Sequence, residues 1–388
     1  MGARECKPLV DAASKGDLEQ VKQLVANGMN VNWVEETGNH EEKRTALHCA
    51  AGGGHLEVVK FLVEHGAKVN IKGHDWRGTM ETPFHWALSH GHLDVAKYLV
   101  EHGADADEPN SKGWSPLRMA ARGDARNKKG SLDVVKYLVE VHNADVNDGR
   151  VTPLFEAAQS DNIEVVKYLV EHGADKNRGW YMRRETPLDV ACAKGHLDIA
   201  QYFLDDLGMD INHSPYPNGD CPLHFAADGG NLEALKFLVE KGADVNCKGQ
   251  NQKTPLHTAA DRNQLDTVKY LLEHGADPNG GMAYTPLHVA IKNGNFNIVK
   301  LLVEHGADVN GVEPGYYTPL HYAVEWGRRD IQQYLIENGA KDDRKDQPPP
   351  PGYTDGQPTP GCSDGQPTPG CSDGQPTPGW SDCQPTPG

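Results

Sequence analysis

The residues best equipped for chemistry in this chain are its histidines and cysteines, and their spacing argues against catalysis. His48, His85, His224, His257, His288 and His321 each stand fourth in a Thr-Pro-Leu-His-like run. A second set, His65, His102, His172, His274 and His305, precedes a glycine each time. Imidazole can serve as acid, base or metal ligand near neutral pH. A ligand or catalytic cluster, however, gathers unlike positions and would break a period, whereas each set recurs at one place in a repeat. A cation in the second set favours the C-terminal end of a helix dipole. Five cysteines, Cys6, Cys49, Cys192, Cys221 and Cys247, occur singly with no Cys-x-x-Cys pair. They read as small buried thiols of a reduced protein, and nothing in their spacing resembles a metal site. There is no phosphate-binding Gly-rich loop, kinase His-Arg-Asp or Asp-Phe-Gly triplet, Gly-x-Ser-x-Gly elbow or His-Glu-x-x-His helix. The expectation is a protein without enzymatic activity, cofactor or metal.

What positions these residues is a repeated unit. It starts near Lys7, Thr45, Thr82, Ser115, Thr152, Thr186, Cys221, Thr254, Thr285 and Thr318, at intervals of 31 to 38 residues. A period of this length marks a solenoid of stacked units, which offers a long surface rather than a catalytic pocket. In the unit at Thr254, Thr254 can cap a helix, Pro255 suits its first position, and Ala259 and Ala260 allow a neighbour to approach closely. In the unit at Thr45, Gly54 ends the first helix, Leu56, Val59, Leu62 and Val63 recur at helical spacing, and Gly66 ends the second. One helix pair is too short to bury its apolar face alone, so stacking must do it. The first and last units are more polar, Arg328-Arg329-Asp330 replacing the usual apolar stretch, and read as caps.

These units resemble the ankyrin repeat, with its TPLHxAA start, its Gly-His-Leu-x-Val-Val second helix and its closing GADVN, over residues 7 to 342. The resemblance implies an all-α repeat solenoid of about ten stacked helix-turn-helix units with projecting hairpin-like finger loops. It also implies protein binding through the fingers and the concave helix face, with the TPLH histidine bridging neighbouring repeats. Three consecutive units depart from the pattern, with Arg118, Phe155 and Asp189 at the histidine position. A basic insertion, Arg122 to Ser131, lengthens the fourth unit and is a candidate docking loop or a solvated one.

The candidate protein-binding residues are aromatic or basic. Trp33, Trp76, Arg77, Trp114, Trp180, Tyr181 and Tyr284 fall in the fingers. Trp86, Met119, Glu156, Phe225, Tyr322 and Trp326 fall where the resemblance places the concave face. Trp, Tyr and Arg dominate interface energetics, but finger aromatics can equally tuck against one another. Asn212, Asn246 and Asn310 fit the Leu-x5-Asp/Glu-Val/Ile-Asn pattern of ankyrin asparagine hydroxylation, and otherwise serve to close turns.

A net charge of −17 disfavours nucleic acid as a partner and favours basic or neutral ones. No 18-residue apolar run or secretory leader is present, so a cytoplasmic, monomeric protein without direct membrane insertion is expected. The solenoid is assigned to residues 1–346. Residues 347–388 carry nine-residue repeats such as Asp355 to Ser363, cannot bury enough surface to offset ordering entropy, and are expected to be a disordered tail. The function that fits is a non-catalytic scaffold or adaptor for a protein partner. The alternative is a substrate-recognition subunit or host-directed effector that recruits an enzymatic activity, such as a ubiquitin ligase, in trans.

Overall fold

The computed structural model describes residues 7–36, 43–74, 78–123, 130–214, 219–281, 284–312 and 317–341. The tail, and most of the basic insertion (124–129), lie outside them. Residues 1–342 form one compact unit.

Two rows of helices build it. The inner row is α1 (Lys7–Lys15), α3 (Ala46–Gly52), α5 (Pro83–His90), α7 (Pro116–Arg122), α9 (Pro153–Gln159), α11 (Pro187–Lys194), α13 (Pro222–Asp228), α15 (Pro255–Asp261), α17 (Pro286–Asn293) and α19 (Pro319–Glu325). The outer row is α2 (Leu18–Ala26), α4 (Leu56–Glu64), α6 (Leu93–Glu101), α8 (Leu132–His142), α10 (Ile163–Glu171), α12 (Leu197–Gln201), α14 (Leu232–Glu240), α16 (Leu265–Glu273), α18 (Phe296–Glu304) and α20 (Arg329–Glu337). Each inner helix packs on the next inner helix and on its own outer partner.

The local reasons are those in the sequence. Threonine caps most inner helices, and proline occupies the first helical turn. Leu47, Ala50 and Ala51 of α3 and Val58, Val59 and Leu62 of α4 are almost fully buried, and their counterparts repeat along the stack. Truncating such a leucine typically costs about 2–5 kcal/mol. The end helices bury less: α2 buries Val21 alone and α20 only Ile331 and Leu335, as caps should.

Two features depart from a purely helical array. The first two fingers pair as an antiparallel sheet of four two-residue strands, β1 (Glu35–Glu36), β2 (Lys43–Arg44), β3 (Gly73–His74) and β4 (Met80–Glu81), in that order. Glu35 faces Arg44 in register and holds its guanidinium at 2.8 Å. In the sixth unit, α12 passes into a π-helical turn, Tyr202–Asp206. Gln201 to Met209 carries one residue more than the Lys-Tyr-Leu-Val-Glu-His-Gly-Ala stretch of other units. A π turn absorbs one extra residue without breaking the helix. The fourth unit also has an extra residue, and there α8 runs on to His142 and ends at a left-handed Asn143.

Candidate protein-interaction surface

The periodic polar residues are structural bridges. His48, His85, His224 and His257 point Nε2 at a carbonyl of the following finger (Glu81, Glu108, Lys253 and Tyr284) at 2.8–3.1 Å. A carbonyl there requires the proton on Nε2, so Nδ1 accepts, and in the threonine-capped units it takes the Thr hydroxyl at 2.8–2.9 Å. Burial pushes His48, His257 and His288 down to about 4, so they stay neutral. The second histidine set donates from Nδ1 to the carbonyl four residues back, as His65 to Phe61 O and His102 to Tyr98 O, at 2.8 Å. A third set, missed in the sequence, comprises His55, His92 and His196. Each reaches back from the start of an outer helix to a carbonyl on the inner helix of the previous repeat (Ser14, Gly52 and Gln159).

The closing asparagines form a second ladder that sequence reasoning also missed. Asn246 donates to Gly275 O and accepts from Asp277 N–H, and Asn310 does the same with Gly339 and Lys341. Asn212 accepts from Asp244 N–H. The three asparagines carrying the hydroxylation pattern are therefore rungs between repeats.

Where the TPLH histidine is lost, other chemistry replaces it. Arg118 grips Glu156 of the next repeat through Nε at 2.9 Å and a terminal nitrogen at 2.6 Å. The Glu156 side chain is only 2% exposed, so the concave position expected for it is a buried ion pair. Phe155 packs edge-on against Trp180. Asp189 receives the Thr186 hydroxyl and N–H at 2.7 and 2.8 Å, and burial pushes its carboxyl up to about 7.

The aromatic candidates divide by environment. Trp76 and Arg77 lie outside the described residues. Met119 is 3% exposed and offers no concave surface, because the finger residue Asn110 covers it. Trp33 is half-buried. Trp86 is half-buried against His48. The Trp114 face is occupied by the Arg118 and Arg122 guanidinium groups at 4.2 and 4.7 Å, and the Trp180 face by Arg183 at 4.4 Å. Tyr284 and Tyr322 pack edge to face. Trp326 is exposed, with Lys292 over its ring.

One finger stands out. Trp180 and Glu185 pair as an antiparallel bridge, and Arg184 adopts a left-handed backbone (φ 56°) to close the turn. This presents Tyr181 and Met182 at the tip, 72% and 74% exposed. Beside it runs a groove of about 310 Å3 whose lining includes Arg183, Glu185, Asp220, His224, Phe225 and Asp261. Of the predicted residues, this region brings together Tyr181, Trp180 and Phe225.

The thiols agree with expectation in part, Cys49 and Cys192 being buried. Cys192 is buried, and burial pushes its thiol up. Cys221 and Cys247, 26 residues apart, are not isolated: their sulfurs meet as a disulfide pair with Cα atoms 7.1 Å apart, beside His224. Single-residue spacing could not reveal a contact made between one helix cap and the next finger.

No helix among the described residues is long and apolar enough to cross a membrane. The family model for ankyrin repeats (three copies) matches residues 3–73, 71–148, 105–179, 125–215, 190–282 and 280–346. Among curated proteins, the chain is 30% identical over 228 residues to alpha-latrocrustotoxin-Lt1a of Latrodectus tredecimguttatus, covering 56% of this chain and 13% of the toxin. It is 27% identical over 269 residues to the ankyrin repeat and KH domain-containing protein mask-1 of Caenorhabditis elegans, covering 61% and 10%. It is 27% identical over 249 residues to a putative palmitoyltransferase, ZDHHC13, of Danio rerio, covering 63% and 31%. The chain thus spans less than a third of the length of each of these relatives. With the family model spanning nearly the whole helical array, and cap, bridge and ladder repeating in register with it, the chain belongs to the ankyrin-repeat family.

Proposed function

We propose that the chain is a non-catalytic interaction scaffold that engages a protein partner at the fifth to eighth repeats. The finger tip Tyr181-Met182 anchors the partner, and the adjacent groove receives one of its basic segments. The observation that carries this is the exposure of two large side chains at the tip of a finger held rigid by the Trp180–Glu185 bridge. Exposed aromatic and methionine side chains flanked by arginine suit an interface anchor. The groove carries Glu185, Asp220, Asp228 and Asp261 against Arg183 and Lys253, and the chain as a whole is acidic, so a lysine- or arginine-bearing segment suits it. Trp180 braces this surface through its stack with Arg183 rather than meeting the partner face-on.

The test compares the full chain with a Tyr181→Ser/Met182→Ser variant in affinity capture from lysate, followed by binding curves on the purified partner at two salt concentrations. The expected outcome is a partner lost from the variant, with unchanged circular dichroism, and weaker binding at higher salt. Equal capture by both proteins would exclude the tip as the anchor.

A further inference from the structure

We propose that Cys221, His224 and Cys247 form a three-ligand site for a thiophilic divalent cation, with zinc as its test ion. The His224 Nδ1 atom lies 3.2 Å from the Cys221 sulfur and 3.7 Å from the Cys247 sulfur. In a tetrahedral zinc centre with Zn–S of ~2.3 Å and Zn–N of ~2.0 Å, sulfur and nitrogen are about 3.5 Å apart. Both observed distances bracket that value. His224 Nε2 donates to Lys253 O at 2.9 Å, which fixes the tautomer and leaves Nδ1 unprotonated beside the sulfurs, where it also accepts from the Cys221 N–H at 3.3 Å. A second hydrogen bond of this kind is what orients metal-binding imidazoles generally.

The repeat itself shows that these residues are placed off-pattern. The cap position of Cys221 is Thr45, Thr82, Thr186, Thr254, Thr285 and Thr318 in other units. The position of Cys247 varies, with Ile71, Asp148, Arg178 and His213 in earlier units and Gly280 and Gly311 in the two that follow. Two cysteines thus stand around one histidine within the seventh unit, one in place of the usual threonine cap and one at a position whose residue type varies along the array. Their Cα atoms are 7.1 Å apart, beyond the roughly 4.4–6.8 Å that a disulfide usually spans. An ion between the sulfurs holds them about 3.8 Å apart, given tetrahedral angles and Zn–S of ~2.3 Å, and the wider backbone spacing accommodates it.

The site forms from two thiols. Each sulfur gives up its proton to solvent as it binds, and no electron is transferred. From the disulfide form, a thiol reductant must first supply two electrons and two protons. Cys221 and His224 are buried and Cys247 is half-buried, which gives the ion an approach from one side. Three protein ligands leave a fourth position for water or a donor from outside. His224 also lines the groove, so an ion here would stiffen one wall of it.

The test uses the full chain, reduced, stripped of metal and titrated with cobalt(II) and then zinc(II). Cys221→Thr and Cys247→Gly restore the residues of neighbouring units and so preserve the fold, which circular dichroism and the metal-free melting temperature verify. The wild type is expected to show a thiolate-to-cobalt charge-transfer band, displaced by one equivalent of zinc. Each variant is expected to lose that band and to bind zinc at least about tenfold more weakly. A band that is absent, or that survives in both variants and so arises from other cysteines, would overturn the proposal. Peptide mapping that finds Cys221 and Cys247 still covalently joined after reduction would overturn it too.

Discussion

Replacing Asp189 with asparagine should flatten the pH dependence of stability in the middle of the array. Asp189 is fully buried, and burial holds its carboxyl near 7, against 3.8 for the same group in a solvated chain. The folded state therefore binds a proton that the unfolded state has released, and the stability this confers is present at low pH and lost as pH rises through 7. Linkage at about 1.4 kcal/mol per unit puts the loss between pH 5 and pH 8 at about 2.5 kcal/mol. The amide oxygen of asparagine can still accept from the Thr186 hydroxyl and N–H, so the cap survives and only the charge is removed. Buried histidines titrate in the same window with the opposite sign, but they are common to both proteins and cancel in the difference. The assay is urea denaturation of both proteins at half-unit pH steps. Hydrogen exchange in α11 guards against non-two-state unfolding, which is common in long repeats. The variant should gain on the wild type steadily above pH 5. Parallel curves for the two proteins would mean that Asp189 is ionised in the fold and well solvated, and would refute the reasoning.

Arg118→Ala should destabilise the array by about 3 kcal/mol, because it strands a buried Glu156 carboxylate, with Arg122 at 3.9 Å limiting the damage. Urea denaturation of this variant, Glu156→Gln and the double variant measures the coupling, and additive losses would exclude a direct pair. Acidification should destabilise through His48, His257 and His288, each held at about 4 by burial against 6.5 when solvated. Their folded values are depressed, so stability is complete well above pH 6.5 and falls as pH drops toward 4, by about 1.4 kcal/mol per histidine at pH 5.5. Measured in the Asp189→Asn background, a midpoint that does not fall between pH 7 and 5 would show the rings to be hydrated.

The amino-acid sequence by itself determined the helix pairs, their caps, their stacking order and the polar end units. These depend on interactions within a few residues: threonine over the first turn, proline at its start, glycine where the backbone must turn left-handed, leucine and valine at helical spacing. It also indicated that three histidines were replaced, though not with what effect. Tertiary structure alone decided which equivalent positions became surface. Met119 and Trp86 occupy the same place in their units, yet one is buried beneath Asn110 and the other half-exposed against His48. Arg118 meets Glu156 across 38 residues, and Cys221 meets Cys247 across 26. A repeat fixes where a side chain points, but its partner lies on a neighbouring helix or finger, and loop length sets whether the two atoms meet. The period was therefore legible from one unit at a time, whereas the groove, the Arg118–Glu156 pair and the sulfur–imidazole cluster depend on how each helix and finger folds back against those beside it.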